Sequence, residues 1–234
     1  MTQPDMQAER GASFSDGFSH EPLRARVAAV LRTAILDGSL PPGTPLIEQA
    51  IAEDLDISRA PVREAIRTLS QEGLVESVAY KGSRVRVPSS RDVTEVYSMR
   101  GLLERFAVRR ILASAATDGD RLAELCAVCD AMEGRAAADD LRGVSAEDER
   151  FHRTLIRLAD HDLLLDLWSH IALRARHIMG LRNAQLRDPR QVAANHRAIV
   201  ASLASGDLEG TLRLVSGHID AGAQLILDDW QGPT

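Results

Sequence analysis

The sequence predicts a mainly α-helical protein, in which a small N-terminal module of three helices and one β-hairpin precedes an antiparallel all-α helical bundle. Aromatic residues make up only 3% of the 234 residues, so Ala, Leu, Ile and Val must fill the core, which favours helices over sheets. Apolar residues recur with the 3.6-residue period of a helix along most of the chain. Strand-like runs occur only near residues 74–87.

Composition excludes several classes of protein. The apolar fraction of 44% and the charged fraction of 26% are ordinary for globular chains, which argues against wholesale disorder. No apolar run approaches the ~18 residues of a membrane-spanning helix, and the first twenty residues lack the apolar stretch of a signal peptide. Two cysteines can form at most one disulfide bond, which is too few to stabilise a secreted fold of this length. We therefore expect a cytoplasmic protein.

Positive charge is concentrated in one short stretch. The 28 basic residues are arginines except for Lys81, and the net charge is −6, so the chain as a whole is not a basic nucleic-acid binder. Residues 58–86 nevertheless hold six basic residues against three acidic ones. Any surface that binds nucleic acid must therefore be local to this stretch.

The elements of the N-terminal module follow from apolar periods and from helix breakers. Residues 1–19 are polar without an apolar period, which predicts a disordered arm. Helices are predicted over 23–38, 47–55 and 58–72, because glycines or prolines end the apolar period after the first and the third. Two Val-rich runs within 74–87 predict a hairpin. Helix, helix, turn, helix and hairpin is the order of a winged helix-turn-helix.

The third helix carries the candidate DNA-contacting side chains. Ser58 is a good N-cap, and Pro61 is tolerated in the first turn. One apolar stripe is formed by Val62, Ala65, Ile66 and Leu69. Arg63 and Arg67 lie off that stripe and Arg59 lies at its edge, which suits a helix that packs by one face and enters a major groove by another. The alternative is an ordinary solvated helix face. In the hairpin, Lys81, Arg84 and Arg86 would form a basic wing.

Beyond a predicted linker at Pro88-Ser-Ser90, the sequence predicts helices only. Their expected ranges are 91–115, 118–138, 143–159, 162–182, 188–204 and 207–229. Asp188-Pro189 supplies an N-cap followed by proline at the first helical position. Ser205-Gly-Asp207 supplies a glycine that ends one helix and an N-cap that begins the next.

Four side chains that can bind a metal fall on apolar helix faces in the second half of the chain. Asp148 and His152 are four residues apart and share one face, and His196 and His218 each align with apolar residues of their own helices. Carboxylate and imidazole groups suit divalent cations. Inward histidines are also common as hydrogen-bonded core residues, so both interpretations remain open. Cys126 and Cys129 form a lone CxxC, which is more typical of core residues than of a metal or redox site.

The N-terminal motifs resemble the GntR superfamily of bacterial transcription factors. The matching segments are Leu40-Pro-Pro-Gly-Thr-Pro-Leu46, Ser58-Arg-Ala-Pro-Val-Arg-Glu-Ala65, Glu72-Gly-Leu-Val75 and Lys81-Gly82. The resemblance implies that operator DNA is approached by Ser58, Arg59, Ala60, Pro61 and Arg63, with Lys81 and Gly82 at the wing. Two positions depart from the family: Asp56 replaces the usual turn glycine, and Gln49 replaces a base-contacting arginine of some members.

The C-terminal motifs are similar to the FCD-type effector domain of the FadR branch of that superfamily. The matching segments are Glu147-Asp-Glu-Arg-Phe-His152, Asn195-His-Arg-Ala-Ile199 and Gly217-His-Ile219. The resemblance implies that Asp148, His152, His196 and His218 hold a divalent cation, expected to be Zn²⁺ with Ni²⁺ or Mn²⁺ as alternatives. It also implies a small organic, sugar or amino acid effector. Arg100, Arg174 and Arg176 are candidate effector contacts, although a surface ion pair of Arg100 with Glu104 is equally consistent with the spacing.

These expectations give one functional hypothesis and two rivals. The leading hypothesis is a ligand-responsive repressor that binds operator DNA as a homodimer, because one winged module contacts too few base pairs alone. Its expected parts are the arm at 1–19, the DNA-binding domain at 20–87, the linker at 88–92 and the effector-binding and dimerisation domain at 93–230. The rivals are a metal-dependent hydrolase that uses the Asp/His₃ site and a pure metal sensor.

Overall fold

The computed structural model describes residues 22–78, 82–114, 119–180 and 188–228. The predicted arm at 1–19 lies outside them, as do Tyr80 and Lys81 of the predicted hairpin turn. The N-terminal elements are α1 (Leu23–Leu36), β1 (Pro45–Leu46), α2 (Glu48–Asp54), α3 (Arg59–Gln71), β2 (Val75–Val78) and β3 (Gly82–Val85). The order of helices and hairpin is the predicted one, so the module is a winged helix-turn-helix.

The sheet contains one strand that the sequence did not predict. The three strands pair antiparallel in the order β1-β3-β2, with Val75 opposite Val85 and Pro45 opposite Arg84. β1 is only two residues long, too short for any alternation to reveal it. It joins the wing to the chain between α1 and α2, and Leu46 is buried in the module's core.

Turn chemistry and the apolar stripe position α3. Asp56 adopts φ +51° between α2 and α3, and Gly73 adopts φ +80° after α3, as their places in the turns require. The predicted stripe of Val62, Ala65, Ile66 and Leu69 is buried against α1 and the sheet. Ser58 occupies the N-cap position, but its side chain makes no capping hydrogen bond, so that part of the prediction is wrong.

Six helices form the C-terminal bundle within the described residues. They are α4 (Ser90–Ala113), α5 (Gly119–Ala137), α6 (Leu141–Leu158), α7 (Asp162–Gly180), α8 (Pro189–Ala204) and α9 (Leu208–Asp228). α4 packs against α6, α7 and α9, while α5 packs against α6 and α8. The side chain of Asp188 caps α8 at the nitrogen of Arg190, and Gly206 adopts φ +74° before α9, as predicted.

The predicted linker is shorter than expected. Ser89 and Asp92 form a capping box, so α4 already begins at Ser90 and takes in most of the segment at 88–92. Asp92 also accepts a hydrogen bond from Arg86 at 2.6 Å, which ties the end of the wing to the first turn of α4. None of the helices in the described ranges is long and apolar enough to cross a membrane.

Candidate functional site

Three bundle helices bring the four predicted metal-binding side chains together. Asp148 and His152 lie on α6, His196 on α8 and His218 on α9. The three imidazoles are buried, and Asp148 is 13% exposed. One ligand atom from each residue lies within 4.8 Å of those of the other three. The helical period placed these side chains on inward faces, and the packing of α6, α8 and α9 makes the faces converge.

The spacing of the ligand atoms matches the coordination sphere of a small divalent cation. His152 Nε2 lies 3.1 Å from His218 Nε2 and 3.3 Å from His196 Nε2. Asp148 Oδ1 lies 3.2 Å from His196 Nε2 and 3.8 Å from the Nε2 atoms of His152 and His218. Neighbouring ligands in a tetrahedral zinc site with bonds of about 2.0–2.1 Å are roughly 3.3–3.4 Å apart.

The outer hydrogen bonds of two histidines determine where their protons sit. His196 Nδ1 donates to the carbonyl of Val192 at 2.8 Å, and His152 Nδ1 donates to the Glu104 carboxylate at 2.6 Å. Both partners can only accept, so each Nδ1 must carry the hydrogen. In the neutral rings the two Nε2 atoms then carry lone pairs, and they face one another and Asp148. The centre of the cluster therefore offers lone pairs to a cation, which is compatible with metal binding.

The charges around the cluster favour an ionised Asp148. Burial opposes ionisation of Asp148, but the neighbouring imidazoles of His152 and His196 outweigh it and hold the pKa of the carboxyl well below its ordinary value. Burial and Arg100 oppose protonation of His152, but Glu104 and Asp148 prevail and raise the pKa of its imidazole. Burial, His196 and His152 hold the pKa of His218 well below its ordinary value. Within the cluster, protonation is thus favoured at His152 and disfavoured at His218.

Glu104 is the site residue that sequence reasoning missed. Its carboxylate is fully buried, with one oxygen bonded to His152 and the other 2.7 Å from Arg100 Nε. Arg100 is itself only 7% exposed, so the surface ion pair considered from the spacing is wrong and the pair lies inside the bundle. A signal existed: Glu104 is seven residues after Tyr97 and four before Val108, on the buried stripe of α4.

The other two candidate effector contacts have partners outside the four-residue cluster. Arg174 lies against the N-terminal module, where its Nε is 3.4 Å from the carbonyl of Glu72. A Cβ on Gly73 would lie 2.7 Å from that Nε, so the arginine side chain would have to shift, but it is the φ of +80° that favours glycine there. Arg176 forms an ion pair with Glu149 at 3.0 Å and is about half exposed. Of the three candidate arginines, Arg100 is the one that the structure links to the cluster, through Glu104.

The predicted DNA-contacting residues of α3 form one exposed surface at its N-terminus. Ser58, Arg59, Ala60 and Arg63 are exposed, and Pro61 is half-buried. Glu48 of α2 lies between the two arginines, 3.0 Å from Arg63 Nη2 and 3.5 Å from Arg59 Nη2. Gln49, the departure from the family pattern, donates to Glu53 at 3.0 Å.

The wing offers fewer free cations than its sequence suggested. Arg84 is paired across the sheet with Glu76 at 2.6 Å, and Arg86 is committed to Asp92. Lys81 lies outside the described residues. Gly82 is exposed with φ +80°, and no atom lies within 4 Å of the place a Cβ would take, so its backbone conformation rather than crowding requires glycine.

The cysteine pair of α5 has the properties of packing residues. Cys129 is fully buried, and burial raises the pKa of its thiol to about 11, so the reactive thiolate is suppressed. The two cysteines are free, in agreement with a role as packing residues.

Two family models match this chain. The model described as "Bacterial regulatory proteins, gntR family" matches residues 23–85, and the model described as "FCD domain" matches residues 95–221. Between them they take in the winged module and the helices that carry the histidine cluster.

Curated relatives and a solved structure that resemble this chain are also described as transcriptional regulators. The chain is 33% identical to a "Probable D-xylose utilization operon transcriptional repressor" of Paenarthrobacter nicotinovorans, over 88% of this chain and 91% of the relative. It is 26% identical to the gluconate operon transcriptional repressor of Bacillus subtilis (strain 168), over 88% and 85%. A crystal structure of a GntR transcriptional regulator from Rhodococcus sp. RHA1 superposes with a TM-score of 0.73 at 29% identity, covering 89% of this chain and 99% of that one.

Proposed function

This chain belongs to the gntR family of bacterial regulatory proteins and carries an FCD domain, and from this premise we propose that its bundle senses a small anionic effector through a divalent cation. The chain is a transcriptional regulator rather than an enzyme, since the relatives and folds that it matches are regulators. The DNA-binding domain is proposed to span residues 20–87, and the effector-binding and dimerisation domain residues 93–230.

The metal proposal rests on one observation: four electron-pair donors lie close together inside the bundle. Asp148, His152, His196 and His218 direct ligand atoms to one point, and two of the imidazoles are fixed with their lone pairs inward. A proton can bridge only two of these atoms, whereas a divalent cation binds all four. Zn²⁺ is the expected ion, with Ni²⁺ or Mn²⁺ as alternatives, because imidazole and carboxylate ligands suit all three.

Charge indicates the class of effector. Arg100 contributes one positive charge to the buried group, and Glu104 and Asp148 contribute two negative charges. A bound divalent cation would leave a net single positive charge in the bundle, which suits a carboxylate. When bound, the cation supplies a Lewis-acidic position for a carboxylate oxygen, and Arg100 adds a guanidinium beside it. We expect an organic, sugar or amino acid, in keeping with relatives named for xylose and gluconate operons.

On the DNA side, the exposed N-terminus of α3 is proposed to enter the operator's major groove. Arg59 and Arg63 are the expected base or phosphate contacts, Ser58, Ala60 and Pro61 would lie against the DNA backbone, and Lys81 and Gly82 would reach the adjacent minor groove. The names of the relatives favour repression. Binding to a chromosomal operator places the protein in the cytoplasm.

An apolar surface on α4 is proposed as the dimer interface. Met99, Leu102 and Phe106 are 43%, 53% and 43% exposed on one face. Glu95 and Arg109 are exposed seven residues before and after Leu102. Two antiparallel copies of α4 related by a two-fold axis at Leu102 would therefore set the glutamate of one copy opposite the arginine of the other.

The hydrolase hypothesis gains no support. A hydrolase needs a general base beside the metal. Glu147 is paired with Arg150, and Glu149 is paired with Arg153 and Arg176, so neither carboxylate is free to serve. A pure metal sensor remains distinguishable from our proposal, since it would need no organic effector.

A gel-shift experiment with the full chain tests the proposed function. The probe is DNA from upstream of the protein's own gene, and the variants are Arg63→Ala, His196→Ala and the exposed control His170→Ala. We expect Arg63→Ala to lose specific binding and His196→Ala to keep binding but lose its response to carboxylates screened as effectors. Equal carboxylate responses in wild type and His196→Ala would contradict the metal-linked sensing, and release by chelator alone would favour the pure metal sensor.

A further inference from the structure

Glu104 lies outside the four-residue cluster but contacts it directly. We propose that Glu104 is a positioning residue, whose carboxylate holds His152 in the tautomer that turns an Nε2 lone pair into the cluster. The inference rests on the proposed metal site, and it assigns a role to a residue of α4 that none of the family motifs above contains.

Both oxygens of the buried carboxylate are committed. Oε2 accepts from His152 Nδ1 at 2.6 Å, and Oε1 accepts from Arg100 Nε at 2.7 Å. Arg100 supplies the counter-charge that lets an ionised carboxylate persist inside the bundle. Arg100, Glu104 and His152 thus form a hydrogen-bonded series that runs from α4 to the cluster. Arg100 is at one end and the ring of His152, the proposed metal ligand, is at the other.

The other two histidines show how specific this contact is. His196 obtains the same tautomer from a backbone carbonyl, which no side-chain substitution can remove. His218 Nδ1 is buried and has no hydrogen-bond partner in the described part of the chain, so no outer hydrogen bond fixes that ring. His152 is therefore the ring whose tautomer depends on a single replaceable side chain. Carboxylates that hold metal-binding histidines in this way typically contribute 10–100-fold to metal affinity.

The substitution Glu104→Gln makes a sharp test because Arg100 Nε–H can only donate. The glutamine must turn its carbonyl oxygen to Arg100, and its NH₂ group then faces His152 Nδ1. A donor at that place favours the tautomer with hydrogen on Nε2, which points into the cluster. We expect Zn²⁺ affinity of the full-length protein to fall about 10–100-fold, measured by competition with a chromophoric chelator.

A second substitution should reverse the effect. Replacing Arg100 by Met removes the donor, so in Arg100→Met/Glu104→Gln the glutamine is free to turn its oxygen to His152 and restore the original tautomer. The double variant should therefore bind Zn²⁺ more tightly than Glu104→Gln alone. A residue that merely stabilised the bundle would give the opposite order, since the double variant loses more contacts.

The matched control is Glu124→Gln on α5. Glu124 also forms an ion pair with an arginine, Arg157, but that pair is exposed. This control should keep wild-type Zn²⁺ affinity. Melting temperature and operator binding show that each variant is folded.

Nitrogen-15 NMR of the His152 ring supplies a readout that does not depend on metal. At alkaline pH, where the rings are neutral, metal-free wild type should show hydrogen on Nδ1, and Glu104→Gln should show it on Nε2. An unchanged tautomer in Glu104→Gln, wild-type Zn²⁺ affinity in that variant, or no recovery in the double variant would overturn the proposal. If wild type binds no metal, the proposed function fails, and the tautomer measurement still decides the role of Glu104.

Discussion

Glu48 of α2 holds Arg63 of α3 through hydrogen bonds from Nε at 3.1–3.2 Å and from Nη2 at 3.0 Å. The same carboxylate lies 3.5 Å from Arg59 Nη2. Hydrogen bonds from Arg63 keep the pKa of Glu48 below its ordinary value, so the glutamate is ionised at neutral pH. Without DNA, Glu48 therefore partly neutralises Arg59 and Arg63, and phosphates at the proposed DNA-binding surface would compete with Glu48 for these side chains.

Replacing Glu48 by Gln should strengthen binding to DNA of random sequence. Removing the carboxylate frees both guanidinium groups and removes repulsion between Glu48 and phosphates. We expect an affinity gain of about 3–10-fold near 50 mM salt, which shrinks as added salt screens the charges. Fluorescence anisotropy with a labelled duplex measures it, and Glu124→Gln on α5 controls for net charge. Unchanged low-salt affinity would show that Glu48 does not restrain the arginines.

Arg59→Ala and Arg63→Ala should each weaken operator binding. Both side chains are exposed at the N-terminus of α3, so an arginine that contacts a base should cost about 1–3 kcal/mol. An arginine that contacts only phosphate should instead reduce the salt dependence by about one ion. Arg190→Ala, an exposed change on α8, is the control. Wild-type operator affinity at every salt concentration in both single variants would refute the placement of α3 in the groove.

Leu102→Glu should convert the proposed dimer to a monomer. At the proposed two-fold axis the substitution brings two carboxylates together in an apolar contact, where like charges without partners are strongly unfavourable. Light scattering should give about 51 kDa for wild type, twice the 25.5 kDa chain, and the monomer mass for the variant. Val30→Glu, at an apolar position of α1 that is 56% exposed, should remain dimeric. A dimer that Leu102→Glu leaves intact would exclude this face as the interface.

The docking of α7 on the winged module should depend on pH through His177. Its Nε2–H donates to the carbonyl of Arg86 at 2.9 Å, and burial lowers the pKa of the ring, with the Arg86 charge adding to that effect. The unfolded chain then binds more protons than the native one below about pH 6.5, the ordinary pKa of histidine. The stability that neutral His177 contributes is thus complete above pH 6.5 and declines as the pH falls toward the lowered native value.

His177→Gln keeps a donor for the carbonyl but cannot titrate, so it isolates this effect. Between pH 7.5 and 5.5 wild type should lose more stability than the variant, by at most about 1.4 kcal/mol per pH unit, seen as a few degrees in melting temperature. The exposed His170→Gln on the same helix should behave like wild type. Equal losses in wild type and His177→Gln would show that His177 does not sense pH.

Much of the fold could be predicted from the sequence because the residues that begin and end its elements act locally. Gly73, Asp56 and Asp188-Pro189 act within a few residues of themselves, so their places in the chain were enough to define turns and caps. The helical period likewise put His152, His196 and His218 on inward faces, and all three are buried. Their role as metal ligands stays a prediction.

What the sequence did not reveal depends on how elements dock. β1 is a strand only because two residues meet β3, and Glu104 is a site residue only because α4 packs against α6. Arg174 and Arg176 were candidate effector contacts, and in the structure their guanidinium groups contact the carbonyl of Glu72 and the carboxylate of Glu149. Such choices are set by contacts far apart in sequence, which a period cannot encode.

Elemental analysis of the full-length protein, purified without a histidine tag, tests the central claim most directly. We expect close to one divalent ion per chain in wild type and a large loss in His196→Ala, while the exposed control His170→Ala keeps its metal. Metal binds the native state only, so chelation should lower the melting temperature of wild type and added Zn²⁺ should restore it. Protein that lacks stoichiometric metal, and whose melting is unmoved by Zn²⁺, Ni²⁺ or Mn²⁺, would contradict the account and leave Asp148 and the three histidines as a buried hydrogen-bonded cluster.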